Sequence, residues 1–199
     1  MRARAALPAL AAVGVLLAAC GHGTGTTQAG SSTPPSSSQS GAGGSTVSGS
    51  EVPPFPANTE PDTGQASPDA RGNVTDIRAS HQDGFDRVVF EFSGPGTPGW
   101  NVQYVPQASS QGSGQPIALA GNAVLSVVIT GVGYPTETGL KEYPRGKVTV
   151  SGTDAVADVF FDGTFEGQSQ AFVGTAAKTP FRVYLLNNPA RVVLEVRQQ

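Results

Sequence analysis

From residue 73 onward, apolar and polar side chains alternate with a period of two. Thr75, Ile77 and Ala79 interleave with Asp76 and Arg78. Val88, Phe90 and Phe92 interleave with Arg87, Val89 and Glu91, and Trp100, Val102 and Tyr104 with Asn101 and Gln103. Successive side chains of an extended chain point to opposite faces, so this pattern predicts strands with one face on a core. Residues 124–130 form a continuous run rich in β-branched side chains, as expected of a strand buried on both faces. Further strands are expected at Lys147–Ser151, Ala155–Phe161, Ser169–Thr175, Phe181–Leu186 and Arg191–Val196. Turn signals separate them at Asp83-Gly84, Gly94-Pro95-Gly96, Asn122, Asp162-Gly163 and Asn187-Asn188-Pro189. Only Ile117–Ala123 has weak helical character, and Gly121 makes it a poor helix. The expected fold is therefore all-β, a β-sandwich of about eight or nine short, mostly antiparallel strands.

An internal echo sharpens the topology. Residues 87–92 read Arg-Val-Val-Phe-Glu-Phe, and 191–196 read Arg-Val-Val-Leu-Glu-Val. Parallel in-register pairing would set Arg beside Arg and Glu beside Glu, which destabilises. Antiparallel pairing sets Arg87 opposite Glu195 and Glu91 opposite Arg191, with Val88 against Leu194 and Phe90 against Val192 on the other face. The expectation is that these strands are antiparallel neighbours joining the two ends of the domain.

The chain before residue 73 follows other rules. Arg2 and Arg4 precede an apolar run from Ala5 to Ala18. That run is shorter than the roughly 20 residues a bilayer crossing needs and reads as a signal peptide covering 1–19. It ends in Leu17-Ala18-Ala19-Cys20. This stretch resembles the lipobox of bacterial lipoproteins. The resemblance implies cleavage between Ala19 and Cys20, diacylglyceryl transfer to the Cys20 sulfur, and anchoring to the extracytoplasmic side of the cell membrane. Residues 21–50 contain 24 Gly, Ser, Thr or Pro among 30, with no charge. Such a segment buries too little apolar surface to offset chain entropy. Together with the Pro-rich stretch after it, 20–72 is expected to be a lipidated cysteine on a disordered tether. The 52 residues from 21 to 72 give a coil reach of about 40 Å.

Composition narrows the chemistry. Residues 73–199 carry 9 basic and 11 acidic residues with no basic stripe, which argues against nucleic-acid binding. The same region holds eight of the nine phenylalanines, the single tryptophan and all four tyrosines, enough to build one core. One cysteine excludes an internal disulfide and a four-thiolate zinc site. His81 is the only histidine after residue 72 and sits in the polar stretch Ser80-His81-Gln82-Asp83-Gly84. Neighbours on one loop rarely point at one another as a Ser-His-Asp triad requires, and no Gly-x-Ser-x-Gly elbow is present. Asp154, Asp158, Asp162 and Glu166 recur every four residues, but the surrounding pattern favours a solvated strand and hairpin over an acidic helix face. Calcium-loop spacing is lacking. We assign no catalytic residue, no metal and no cofactor.

Candidate ligand-binding residues are aromatic and cationic. Sugars present CH faces that stack on rings, with polar neighbours taking the hydroxyls. Trp100 and Tyr104 lie in one such mixture, and Tyr134, Lys141, Tyr143 and Arg145 in a long turn-rich loop, 131–145. Lys141, Arg145 and Lys147 would suit a peptide-stem carboxylate. Equally, Trp100 and Tyr104 fit a strand's core face, and Tyr134 and Tyr143 fit rings that anchor a loop.

Three stretches carry a second resemblance: Gly84 to Phe92, Phe165-Glu166-Gly167, and Pro180 to Val183 leading into Asn188 to Val196. Together they resemble the AMIN-like domain of actinobacterial lipoproteins. The closing Leu-x-x-Pro-x-Arg-Val-Val-x-Glu-Val is similar to the end of the AMIN module of N-acetylmuramoyl-L-alanine amidases. The resemblance covers 73–199 and implies a β-sandwich that binds or localises to peptidoglycan, another wall polymer or a wall-associated protein, without catalysis. A lipid or glycolipid carrier with a sheet cavity, and an envelope hydrolase, are the alternatives.

Overall fold

The period-two alternation folds as read. In the computed structural model, residues 52–56 and 58–199 are described, and they belong to one compact unit, Thr46–Gln199. The signal segment, Cys20 and the tether to residue 51 lie outside the described residues. Ten strands and one short helix are present among those described: β1 (Asp62–Gly64), β2 (Asn73–Gln82), β3 (Phe85–Ser93), β4 (Gly99–Val105), β5 (Ala123–Thr130), α1 (Pro135–Thr138), β6 (Gly146–Val148), β7 (Val156–Phe165), β8 (Gln168–Thr175), β9 (Phe181–Leu186) and β10 (Ala190–Arg197).

The strands form two antiparallel sheets, β1-β4-β5-β8-β7-β6 and β2-β3-β10-β9. The core is the alternate residues of both sheets: Val88, Phe90 and Phe92 of β3, Val192 and Leu194 of β10, and Leu125, Val127 and Ile129 of β5, closed by Phe161 and Phe181. Each such side chain contributes about 1.5–3 kcal/mol on burial. The two echoing strands are neighbours, in the expected register. Arg87 faces Glu195, Val88 faces Leu194, Phe90 faces Val192 and Glu91 faces Arg191.

Two carboxylates tie the sheets together. Asp86 of β3, with no exposed surface, accepts the backbone N–H groups of Ala155 and of Val156, the latter at 2.9 Å, where β7 begins. Asp62 of β1 accepts the Val183 N–H of β9 at 3.0 Å and the Trp100 indole N–H at 2.9 Å. Both carboxylates satisfy donors that burial would otherwise leave orphaned.

The structure departs from the sequence expectation in four places. β1 and the segment before it pack on the sandwich although 20–72 reads as tether, because Asp62 supplies acceptors that the Pro-rich composition hides. The expected strand Lys147–Ser151 shortens to Gly146–Val148. The segment expected to be weakly helical, Ile117–Ala123, is irregular to Asn122 and enters β5 at Ala123; Gly121 sits at φ 113°, and a Cβ there would lie 2.6 Å from the Thr175 carbonyl oxygen. Asp162-Gly163 is a bulge inside β7, where the register jumps from Phe161 to Gly163, and the chain reverses later, at Glu166-Gly167.

Candidate functional site

The site follows from how β7 and β8 end. Phe165 pairs with Gln168, leaving Glu166 and Gly167 as a two-residue hairpin loop. Both have positive φ, 49° and 76°, as the tight hairpin turn that matches strand twist requires. A left-handed backbone is costly for glutamate. Tyr134 offsets this cost: its hydroxyl oxygen accepts the Glu166 N–H at 2.9 Å.

Loop 131–145 is laid along β7 by successive contacts. Tyr134 meets Glu166, Thr164 donates its hydroxyl to Glu142, and Arg145 pairs with Asp162 at 2.6 Å. Its other side is pinned to β2. Asn73 donates its side-chain amide to the Gly133 carbonyl at 2.7 Å, and the Tyr143 N–H reaches the Val74 carbonyl at 2.8 Å. Across the outer face of the six-stranded sheet lies segment 106–122. The Gln111 N–H donates to Asp162 at 3.1 Å and the Ala120 N–H to Asp158 at 3.2 Å. The fit is close: a Cβ on Gly174 would lie 2.0 Å from the Ala120 carbonyl oxygen. The bulged Asp162 thus holds both flanking segments, one through each carboxylate oxygen.

Where segment 106–122 meets the β7–β8 turn lies a cleft of about 260 Å³, lined by Gln111, Phe165, Glu166 and Gln168. Phe165 is 41% exposed and Tyr134, bonded to the same turn, is 39% exposed. Phe165 and Tyr134 are the two large aromatic side chains left exposed among the described residues. Gln170, two residues along the same face of β8 from Gln168, is buried, and its Oε1 has no hydrogen-bond partner among the described residues. The arrangement offers an open aromatic platform with two amides and a carboxylate beside it.

The other sequence candidates separate. Arg145 and Tyr134 flank β7 near this cleft, and Lys141 is exposed in the same loop. Tyr143 turns inward, edge-on to Phe161 with ring centres 6.0 Å apart. Trp100 packs partly on the core and is held by Asp62. Tyr104 binds the Thr179 carbonyl through its hydroxyl at 2.8 Å, meets Phe181 edge-on, and carries Lys178 at 5.5 Å over its ring. It lines a separate cleft of about 580 Å³ with Lys178 and Asn122. Lys147 pairs with Asp158 at 2.7 Å.

Of the groups weighed for catalysis, His81 meets two carboxylates, while Ser80, Asp158 and Asp162 are engaged elsewhere. His81 lies 3.2 Å from Asp86, whose second oxygen is engaged by β7, and 3.7 Å from exposed Asp154. Ser80 accepts from Gln82 instead of His81. Asp158 and Asp162 are each bound by a cation and a backbone N–H. Among the described residues no cluster of three or more His, Cys, Asp or Glu is arranged to hold a metal, and no helix is long and apolar enough to cross a membrane.

Sequence reading missed Phe165, Gln111 and Gln168. The misplaced turn at Asp162-Gly163 moved Phe165 off the strand end that it occupies. The usable signal was Phe-Glu-Gly itself, an aromatic residue directly before a two-residue turn.

The family model for the AMIN-like domain matches residues 72–198. No curated protein and no solved structure is significantly similar to the chain.

Proposed function

The chain belongs to the AMIN-like domain family, and from that premise we propose that it is a membrane-anchored, non-catalytic envelope protein whose sandwich binds wall glycan through the Phe165 cleft. The family supports a peptidoglycan-associated role outside the cytoplasm. The observation that carries the specific reading is the exposed Phe165 ring in one cleft with Gln111, Glu166 and Gln168. A sugar ring stacks its CH face on Phe165, and the amides and carboxylate take its hydroxyls, which combines apolar contact with a few placed polar groups. At about 260 Å³ the cleft lies just below the usual range for enclosed small-molecule sites, which favours a polymer touched over a short stretch. Cys20 supplies the anchor in this reading.

The packed core speaks for binding at the surface over carriage of a lipid. Phe90, Phe161, Phe181, Leu125 and Leu194 fill the space between the sheets. Ser80 turned to Gln82, and Asp158 and Asp162 each paired with a cation, support contact over bond-making.

The test is co-sedimentation of the compact unit, residues 46–199, with isolated cell walls. Phe165→Ala is expected to weaken binding about tenfold, or about 1.4 kcal/mol. Equal pull-down of Phe165→Ala and wild type would move the site elsewhere, with the Tyr104 cleft next in line. No pull-down at low salt would exclude the glycan reading and leave a wall-associated protein as partner.

A further inference from the structure

We propose that the outer face of the four-stranded sheet is a peptide-binding site for an extended, proline-flanked phenylalanine, and that the chain's own Val52–Pro56 is its ligand. The segment reads Val52-Pro53-Pro54-Phe55-Pro56. Its prolines fix φ near −65° and favour polyproline II before any contact forms, so little freedom is lost on docking. The segment pairs with no strand. It is held by one ring and one carbonyl.

The ring is Phe55. Its centre lies 5.3 Å from that of Phe85, with the planes at 55°. The Arg182 guanidinium carbon sits 4.1 Å from the Phe55 ring centre and 5.5 Å from that of Phe85. The same guanidinium donates through Nη1 to the Pro53 carbonyl. One cation thus stacks on the aromatic side chain and reads the backbone two residues before it, leaving Pro53, Phe55 and Pro56 half-buried while Val52 and Pro54 stay exposed. This division between docked and outward positions is how polyproline segments are recognised in aromatic-lined grooves.

The receptor is built before the ligand arrives. Glu195, fully buried, holds Arg182 by Nε and Nη2, each at 2.5 Å from Oε2, and takes Arg87 on Oε1. Arg87 in turn lies 5.6 Å from the Phe85 ring centre. With its edge occupied by Glu195, Arg182 has its planar face left to present. A lysine would keep the charge but not that face.

The experiment uses the full-length chain. In the wild type, the Phe55 amide is expected to show the heteronuclear NOE of a strand residue. In Phe55→Ala, which alters neither sheet, the Val52 amide should relax as an unrestrained chain. A fluorescent peptide of residues 51–57 should then bind Phe55→Ala about tenfold or more tighter than wild type, because the tethered copy competes at an effective concentration of about millimolar. Adding Arg182→Lys to Phe55→Ala should abolish that binding. A mobile Phe55 amide in the wild type overturns the proposal. So does peptide binding that Phe55→Ala fails to strengthen, including no binding to either at several times that effective concentration. Unchanged binding in the double variant overturns the role given to Arg182.

Discussion

Replacing Glu195 by alanine is expected to cost the domain about 3–4 kcal/mol. The carboxylate has no exposed surface and receives five donors: Nε and Nη2 of Arg87 at 2.7 and 2.5 Å, Nε and Nη2 of Arg182 at 2.5 Å each, and the Tyr184 hydroxyl at 2.8 Å. Removing one partner of a buried ion pair costs about 3–5 kcal/mol, because the charge left behind stays desolvated. Arg87 is 33% exposed and can swing into water, which trims the figure, whereas Arg182 is 14% exposed and cannot. Against a total of about 5–15 kcal/mol this loss is large. At roughly 3–4 °C per kcal/mol for a domain of this size, the melting temperature should fall by about 10–15 °C. Urea unfolding followed by circular dichroism measures the cost directly. Replacing Arg87, Arg182 and Glu195 together by apolar residues of similar volume should restore most of the loss, since the cost lies in orphaned charge more than in a missing attraction. A Glu195→Ala cost below about 1 kcal/mol would place the cluster among solvent-exposed ion pairs and refute the reasoning.

Two further outcomes follow from the same structure and sequence. Burial holds Tyr184 above the ordinary tyrosine value of 10.0, helped by its hydrogen bond to Glu195 and that group's charge. The folded state therefore keeps this proton where the unfolded chain releases it. The contribution is whole below 10.0 and is lost as pH rises through the folded value, so Tyr184→Phe should flatten the alkaline fall of the urea midpoint, and identical slopes in both proteins would contradict this. Cys20→Ala should move the protein from the membrane to the soluble fraction; retention without that thiol would remove the anchor.

Much of the sandwich was legible because burial and charge agreed. The echo at 87–92 and 191–196 specified a register, since only antiparallel pairing both opposes Arg87 to Glu195 and stacks Phe90 on Val192. The partner choice was less legible. Glu91 stands opposite Arg191 in the ladder but bonds Arg78 at 3.3 Å, while Arg191 turns to the Pro189 carbonyl at 3.1 Å. Arg182 as the second cation on Glu195 had no signal, because it comes from β9, with no echo of its own. β1 was hidden for a different reason: three residues paired at a sheet edge leave no period, and their value lies in Asp62 reaching two distant donors. The cleft was half legible. Tyr134 was singled out as a ring in a loop, whereas Phe165 became readable only when the bulge at Asp162 shifted the turn. A local turn signal cannot distinguish a bulge from a reversal when the deciding contacts, Arg145 and Gln111 on Asp162, come from distant segments.

The two sites occupy opposite ends of the sandwich, and this constrains how the protein works. Phe85, which receives Phe55, adjoins Asp86, and Asp86 binds the backbone where β7 begins. Phe165 is where β7 ends, nine residues on from Val156. At about 3.3 Å per residue those ends lie about 30 Å apart. A docked Val52–Pro56 fixes the point at which the preceding chain leaves the domain, at the end away from the Phe165 cleft. An undocked segment moves that point along the chain to the start of β1, where Asp62 pairs with Val102 midway along β4 and accepts the Val183 N–H. On the proposed reading, in which Cys20 is the anchor, the docked form fixes the exit at the end away from Phe165, and the undocked form moves it to mid-sheet. The latch therefore acts on orientation more than on reach. It follows that Phe55→Ala should leave wall affinity of the soluble unit unchanged while lowering wall retention of the anchored protein.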